Sequence, residues 1–196
     1  KDKEDKKPAK EDKPVEKMTV KSDEAWDELI KQVEEKAGQS NLNIQMGNVS
    51  QVPGNFIQSI ANQDIDVVIE MDNGISWTIS SDTVTGQSID VDFHVDVDSH
   101  NIPADVVDEL VEDKPVIQIS LAHSGEFGCQ PVLTVPVGNE HAGKYANLFY
   151  YNEKTGIMEF MTYGLIDEDG KTDLQFVHAS EYAIVIDSQV MGTTIG

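Results

Sequence analysis

The sequence predicts a mainly β protein: an antiparallel β-sandwich preceded by an α+β part that contains a helix, a strand, a second helix and a β-hairpin. Three observations lead to this fold class. Two segments near the N-terminus have apolar residues at helical spacing. A clear hairpin signal lies at 66–80. From residue 88 onward, short alternating segments follow one another between turn residues, which is typical of a sandwich.

The first 17 residues are rich in Lys, Asp and Glu, and their only apolar side chains besides two prolines are Ala9 and Val15. Such a segment does not bury enough surface to offset the entropy of ordering. We therefore expect 1–17 to be a disordered charged tether. It suits either a surface protein held away from an envelope or an ordinary flexible tail.

An amphipathic helix is predicted over 23–37, because apolar residues there recur at spacings of three and four. Ser22 is a suitable N-cap and Gly38 a suitable stop. Trp26 lies on the apolar side, so we expect it in the core. A strand with alternating apolar residues follows at 42–46, and then a short helix whose first turn holds Pro53.

The register of the hairpin at 66–80 follows from its alternation. A two-residue Asn-Gly loop would place acidic residues on the apolar face. A three-residue loop at 72–74 instead pairs Ile69 with Trp77 and leaves one face wholly apolar. We therefore expect a type I turn with Gly74 in the left-handed region and Trp77 in the core.

Segments 52–60 and 102–110 share a proline at the second position and apolar residues at the first, fifth, sixth and ninth. An alternating apolar strand follows each of them. This predicts a duplicated strand-helix-strand unit, an internal repeat. The alternative is that two unrelated units look alike, since only hydrophobic classes and one proline match.

The second half of the chain predicts seven strands, at 88–98, 115–122, 131–137, 145–151, 157–163, 172–178 and 181–187. The predicted organisation is a tether (1–17), an α+β subdomain (18–86), a β-sandwich domain (87–190) and a tail (191–196). Whether the two folded segments form one domain or two stays open at this point.

The chain has 196 residues and a formal net charge of −22, and all of its basic residues are lysine. A nucleic-acid-binding surface needs clustered cations, so we expect no nucleic-acid partner. The longest apolar stretches are far below the ~20 residues that cross a bilayer, so we expect no membrane insertion of this chain. We also expect a monomeric module.

Acidic residues occupy one parity of the predicted strand 88–98, where Asp90, Asp92, Asp96 and Asp98 share a face with His94. One interpretation is a solvated face that discourages edge-to-edge aggregation. The other is a calcium site. Same-face neighbours on a strand are roughly 6.6 Å apart, so such a site would need further ligands from an adjacent strand or loop.

Aromatic residues form the second candidate site. Tyr145, Phe149 and Tyr151 share a parity, and Tyr163 can join them across the turn at 152–156. Amphipathic rings on a sheet face can hold a sugar or a peptide. The alternative is burial under the second sheet, since both faces of these strands carry apolar residues.

Catalytic patterns are not recognised in the sequence. The single cysteine, Cys129, follows a Gly-rich loop in which nothing fixes a partner base. No phosphate-binding loop, nucleophile elbow or zinc helix is found. We therefore expect a non-enzymatic protein without a resident cofactor, calcium being the one cation with a candidate site.

Five short segments in the second half carry a resemblance: Lys114–Ile119, Phe127-Gly128, Leu133–Pro136, Asn147–Gly156 and Phe176–Tyr182. With them, the chain from 102 to 187 resembles an uncharacterised β-sandwich module that recurs in secreted and surface-anchored proteins of Gram-positive anaerobic bacteria. The hairpin residues 74–79 resemble the segment that commonly precedes it. The resemblance implies a non-enzymatic module of adhesins, envelope enzymes or lipoproteins.

The sequence His178-Ala179-Ser180 is similar to the His-Phe-Ser site of self-cleaving sandwich domains. In those domains the serine hydroxyl attacks the preceding carbonyl, which would here cut between Ala179 and Ser180. Alanine replaces the phenylalanine, and the attack depends on a strained turn. The alternative is a final turn in which Ser180 caps backbone groups and Tyr182 packs inward.

These observations favour a non-catalytic extracellular module of a bacterial cell-surface protein, tethered to the envelope as in a lipoprotein. Its expected role is display, adhesion, or binding of an unidentified protein or glycan. The alternatives are a calcium-binding structural module and the self-cleaving domain.

Overall fold

The computed structural model describes residues 18–20, 24–39, 41–46 and 49–192. The helices are α1 (Glu24–Glu35), α2 (Gly54–Ile60) and α3 (Ala104–Val111). The strands are β1 (Met18–Val20), β2 (Asn41–Met46), β3 (Gln51–Val52), β4 (Asp66–Glu70), β5 (Ser76–Ser80), β6 (Val91–Asp92), β7 (Val95–Val97), β8 (Val116–Glu126), β9 (Val132–Pro136), β10 (Tyr145–Asn152), β11 (Ile157–Leu165), β12 (Lys171–Gln175) and β13 (His178–Asp187). The predicted tether, the cap Ser22 and residues 193–196 of the predicted tail lie outside the described residues.

Two sheets pack face to face, which confirms the predicted mainly β sandwich with a few helices. Sheet I has the order β1-β2-β4-β5-β9-β12, and sheet II has the order β11-β10-β13-β8-β7. Pairing is parallel between β1, β2 and β4 and antiparallel in the rest of both sheets. None of the helices described is long and apolar enough to cross a bilayer.

Sheet I draws strands from both sides of the predicted boundary between residues 86 and 87. Strand β5 of the hairpin pairs with β9, where Trp77 stands opposite Leu133. Buried residues of both segments also belong to one hydrophobic cluster. The segments 18–86 and 87–190 therefore share a sheet and a core, because the hairpin supplies part of one layer of the sandwich.

The hairpin has the predicted register, with Ile69 opposite Trp77 and Val67 opposite Ile79. Trp77 is buried, as expected, and its indole N–H donates a hydrogen bond to the carbonyl of Phe93 at 3.0 Å. The predicted type I turn is wrong, because Asn73 has φ 62° in addition to φ 77° at Gly74. A type I turn needs negative φ at that position, whereas asparagine tolerates the left-handed region.

The inner face of sheet I is covered by two different partners. Along the register, Leu42 pairs with Val67 and Trp77 with Leu133, so these buried side chains share one face. Helices α1 and α2 pack into the same cluster. The ring centroids of Trp26 in α1 and Phe56 in α2 are 5.0 Å apart. Sheet II covers the remainder of this inner face. Because the helices and sheet II all lie on the same side of sheet I, the residues of β4 and β5 that point to the other side are only half-buried.

Helix α3 lies on the outer face of sheet II. Its residues Val107 and Val111 form a second buried cluster with Phe149 and Val185 of that sheet. Sheet II is therefore covered on both faces, by sheet I on one side and by α3 on part of the other. This explains why β10 carries apolar residues at both parities.

The predicted strand 88–98 is wrong as a continuous element. Strand β6 pairs with β3, whereas β7 pairs with β8. Between them the backbone changes partner: Phe93 N–H donates to Ser50, and the carbonyl of His94 accepts from Ala122. Alternation of apolar residues predicts which side chains are buried. It does not reveal whether the segment pairs with one strand or with two different strands along its length.

Both α2 and α3 begin after a proline whose carbonyl accepts the first helical hydrogen bonds. The carbonyl of Pro53 accepts from the N–H groups of Phe56 and Ile57. The carbonyl of Pro103 likewise accepts from the N–H groups of Val106 and Val107. Helix α2 belongs to the core of sheet I, whereas α3 belongs to the outer cluster of sheet II. The internal repeat stays a prediction.

Candidate functional site

The acidic residues of 88–98 do not act as one set. Asp90 accepts a hydrogen bond from the backbone N–H of Gly54 at 2.7 Å, at the first turn of α2. An unpaired N–H at a helix start favours such a carboxylate. Asp92 accepts from the N–H of His94 at 3.0 Å, and Asp98 has positive φ at the end of β7. Two of the four carboxylates therefore bind backbone groups.

Asp96 lies 3.0 Å from Nε2 of His94, and both side chains are largely exposed. Within the described ranges, no group of three or more His, Cys, Asp or Glu side chains is arranged to hold a metal ion. The structure does not bring Asp90, Asp92, Asp96 and Asp98 together as one ligand set. The calcium site stays a prediction.

The predicted aromatic set divides into two pairs. Phe149 is buried in the cluster under α3, 5.5 Å from Phe160, and Tyr151 packs half-buried against the same cluster. The predicted alternative, burial under the second sheet, is wrong for these residues because α3 covers them from the outer face. Tyr145 and Tyr163 instead contact each other edge to face at 5.8 Å.

A β-bulge decides how these rings are arranged. The register of β10 and β11 shifts between the pairs Leu148–Thr162 and Phe149–Phe160, so β11 has one extra residue, Met161. The extra residue restores the outward parity, and Phe160 and Tyr163 face the same side although they are three residues apart. Sequence alternation does not reveal such an insertion.

The half-buried Tyr145 and the exposed Tyr163 and Leu165 form an apolar surface that we call the tyrosine patch. Leu165 stands opposite Tyr145 in the register, so all three side chains are on the outer face of sheet II. Tyr163 is 44% exposed and Leu165 is 60% exposed. Among the described strands, β11 pairs with β10 alone, so the patch lies at a sheet edge.

The sequence did not single out Asn147. This buried residue stands opposite Tyr163 in the register, next to the tyrosine patch. It is fully buried, its amide N–H groups donate to the carbonyls of Val185 and Gln189, and its oxygen accepts from Met191 N–H. These bonds hold the chain after β13 against sheet II. A polar residue between apolar neighbours in β10 was the available sequence signal.

Cys129 lies in an environment that does not activate its thiol. Cys129 is buried, and burial raises the pKa of its thiol to about 12. Low thiolate content at neutral pH makes a cysteine a weak nucleophile. This geometry gives no support to a catalytic thiol.

The predicted final turn around Ser180 is wrong, because 178–180 are the first three residues of strand β13, whereas Tyr182 packs inward as predicted. Nδ1 of His178 lies 3.0 Å from the hydroxyl of Tyr182. Burial lowers the pKa of His178, and the Glu159 carboxylate opposes this effect. The structure shows extended backbone rather than a strained turn at this point, and self-cleavage at Ser180 stays a prediction.

No protein-family model, no curated protein and no solved structure matches the chain.

Proposed function

We propose that this chain is a non-catalytic extracellular module of a bacterial cell-surface protein, and that it binds a protein or glycan partner through the tyrosine patch. The observation that carries the proposal is the pair of exposed side chains Tyr163 and Leu165, with Tyr163 in edge-to-face contact with the half-buried Tyr145. Tyrosine supplies a large and rigid contact area with a polar end, which explains its enrichment in interfaces.

The position of the patch supports binding rather than simple exposure. Helix α3 and the segment held by Asn147 cover neighbouring parts of the outer face of sheet II, whereas Tyr163 and Leu165 stay exposed. Chains with a large net charge keep most of their surface hydrated, so adjacent exposed apolar side chains stand out against it. The resemblance to secreted and surface-anchored modules supports the location at the cell envelope.

The location is tested by labelling intact cells of the source bacterium with a membrane-impermeant amine reagent. The chain offers lysines on its exposed surface, such as Lys31 and Lys144. We expect these lysines to be modified before lysis, as identified by mass spectrometry. Modification only after lysis contradicts the extracellular location.

The binding surface is tested with the purified chain on isolated cell envelopes and on glycan arrays. The variant Leu165→Ser removes an exposed apolar side chain from the patch, and Val177→Ser removes one that is 44% exposed elsewhere. We expect binding to fall roughly tenfold or more in the double variant Tyr163→Ala/Leu165→Ser, as for the loss of a central contact of an interface. Val177→Ser serves as the matched control, and equal binding by both variants contradicts the role of the patch.

A further inference from the structure

Strands β8 and β13 separate from each other near the start of β13. Ala179 is opposite Gly125, whereas Glu181 is opposite Ser120. The four residues 121–124 therefore stand opposite Ser180 alone. One of them, Ala122, donates its N–H to His94 on the other side of β8. Because the ladder is interrupted, a cleft of about 380 Å³ opens at this end of sheet II.

The cleft is lined mainly by polar groups around the phenol ring of Tyr150. Tyr150 and Asn152 come from β10, Lys154 from the turn that follows, Ser180 from β13 and His123 from β8. Its volume is near the lower end of the range of about 300–1,000 Å³ that is typical of small-molecule sites. Such a volume fits a ligand of the size of one sugar residue.

Part of the lining is held in place by contacts within the protein, namely the turn at Lys154 and the ring of Tyr150. The oxygen of Asn152 accepts a hydrogen bond from the backbone N–H of Lys154 at 3.1 Å, which shapes the turn. The ring of Tyr150 contacts those of His178 and Tyr182, with centroids 4.7 and 5.9 Å away. A ring and a turn that are already positioned lose less entropy when a ligand binds.

The chemistry of the lining selects among ligand classes. The carboxylates Glu153 and Glu181 also line the cleft beside the single lysine, so an anion would meet like charge. An apolar ligand would desolvate Lys154 and Ser180 without replacing their hydrogen bonds to water. As noted above, the described residues contain no metal-ligand cluster.

We propose that this cleft binds one residue of a neutral glycan. Sugar hydroxyls both donate and accept hydrogen bonds, which matches a lining that offers carboxylate oxygens, an ammonium group and a serine hydroxyl. The apolar C–H face of a sugar ring packs on the ring of Tyr150. The cleft lies at the opposite end of β10 from Tyr145, so this proposal goes beyond the proposed function and does not depend on the tyrosine patch.

The test is saturation-transfer NMR of the purified full chain with glucose, galactose, mannose and N-acetylglucosamine, followed by titration calorimetry of the best binder. We expect saturable binding of at least one sugar. Lys154→Ala and Ser180→Ala should each weaken it roughly two- to tenfold, which corresponds to one hydrogen bond. Lys31→Ala removes the same charge from α1 and should leave the affinity unchanged.

The aromatic contribution is tested by Tyr150→Phe, which keeps the ring, and Tyr150→Leu, which removes it. We expect the first variant to bind and the second to lose binding, with folding checked by circular dichroism. Ser180 and Lys154 provide the test if the leucine variant does not fold. Tyr163→Ala should keep sugar binding, which separates this site from the tyrosine patch. Absence of transfer to all four sugars, or unchanged affinity in Lys154→Ala and Ser180→Ala, overturns the proposal.

Discussion

The hydroxyl of Tyr182 donates a hydrogen bond to the backbone carbonyl of His178, four residues earlier in the chain. Tyr182 is buried, and its ring lies 4.9 Å from that of Phe176. The chain passes from β12 of sheet I to β13 of sheet II at this point. The bond therefore fastens a crossing between the two layers, in the manner of the tyrosine corner of other β-sandwiches.

We expect Tyr182→Phe to lower the free energy of unfolding by about 1–3 kcal/mol, because the variant leaves a partly buried carbonyl without its donor. Urea denaturation measures the change. Tyr163→Phe removes a hydroxyl from an exposed ring and should change stability by less than about 0.5 kcal/mol. Equal losses in the two variants contradict a specific role for the Tyr182 hydroxyl.

Replacement of Asp90 should destabilise the start of α2. Its carboxylate accepts from Gly54 N–H, a bond that joins residues 36 positions apart. We expect Asp90→Ala to cost about 0.5–2 kcal/mol, as for loss of a helix cap, and Asp90→Asn to cost less. Asp96→Ala is the control, since its carboxylate is largely exposed. If Asp96→Ala is as destabilising as Asp90→Ala, the capping role is wrong.

Cys129 should react slowly with thiol reagents in the folded protein. Burial raises the pKa of the thiol to about 12, so roughly one thiol in ten thousand is ionised at pH 8. We expect negligible labelling by a disulfide reagent at pH 8 and rapid labelling once the chain is unfolded in urea. Fast labelling of the native protein contradicts the buried position of this side chain.

His178 should titrate below its ordinary value. Burial lowers its pKa below 6.5, and the Glu159 carboxylate raises it in part. The unfolded chain therefore binds this proton more readily, so the associated stability is present at neutral pH and is lost as the pH falls below 6.5. NMR titration of the imidazole in Glu159→Gln should give a still lower pKa. Glu153→Gln is the control, and an unchanged pKa in Glu159→Gln excludes the coupling.

Local elements could be predicted wherever one face of an element is buried. The hairpin register at Ile69 and Trp77 followed from parity alone, because a slip of one residue would expose every apolar side chain. The helix around Trp26 followed from its spacing for the same reason. The turn type did not follow, since Asn73 tolerates either sign of φ.

The candidate sites could be predicted only as residue lists. Tyr145 and Tyr163 were identified, but their separation from Phe149 depended on where α3 lies and on the bulge at Met161. Asp90 was identified as acidic, but its partner Gly54 belongs to another element. Such pairings join distant parts of the chain, and no local pattern encodes them.

The sequence by itself determined the mainly β class, the alternation that buries Val91 and Phe93, and the apolar face of the hairpin. Each of these depends on the fixed period of a strand or a helix, which neighbouring residues express directly. Only the tertiary structure decided that the hairpin completes sheet I, that β8 leaves β13 opposite Ser180, and that Leu165 stays exposed beside Tyr163. These features arise from long-range packing, where many arrangements satisfy the same local periods and the best burial of the whole chain selects one.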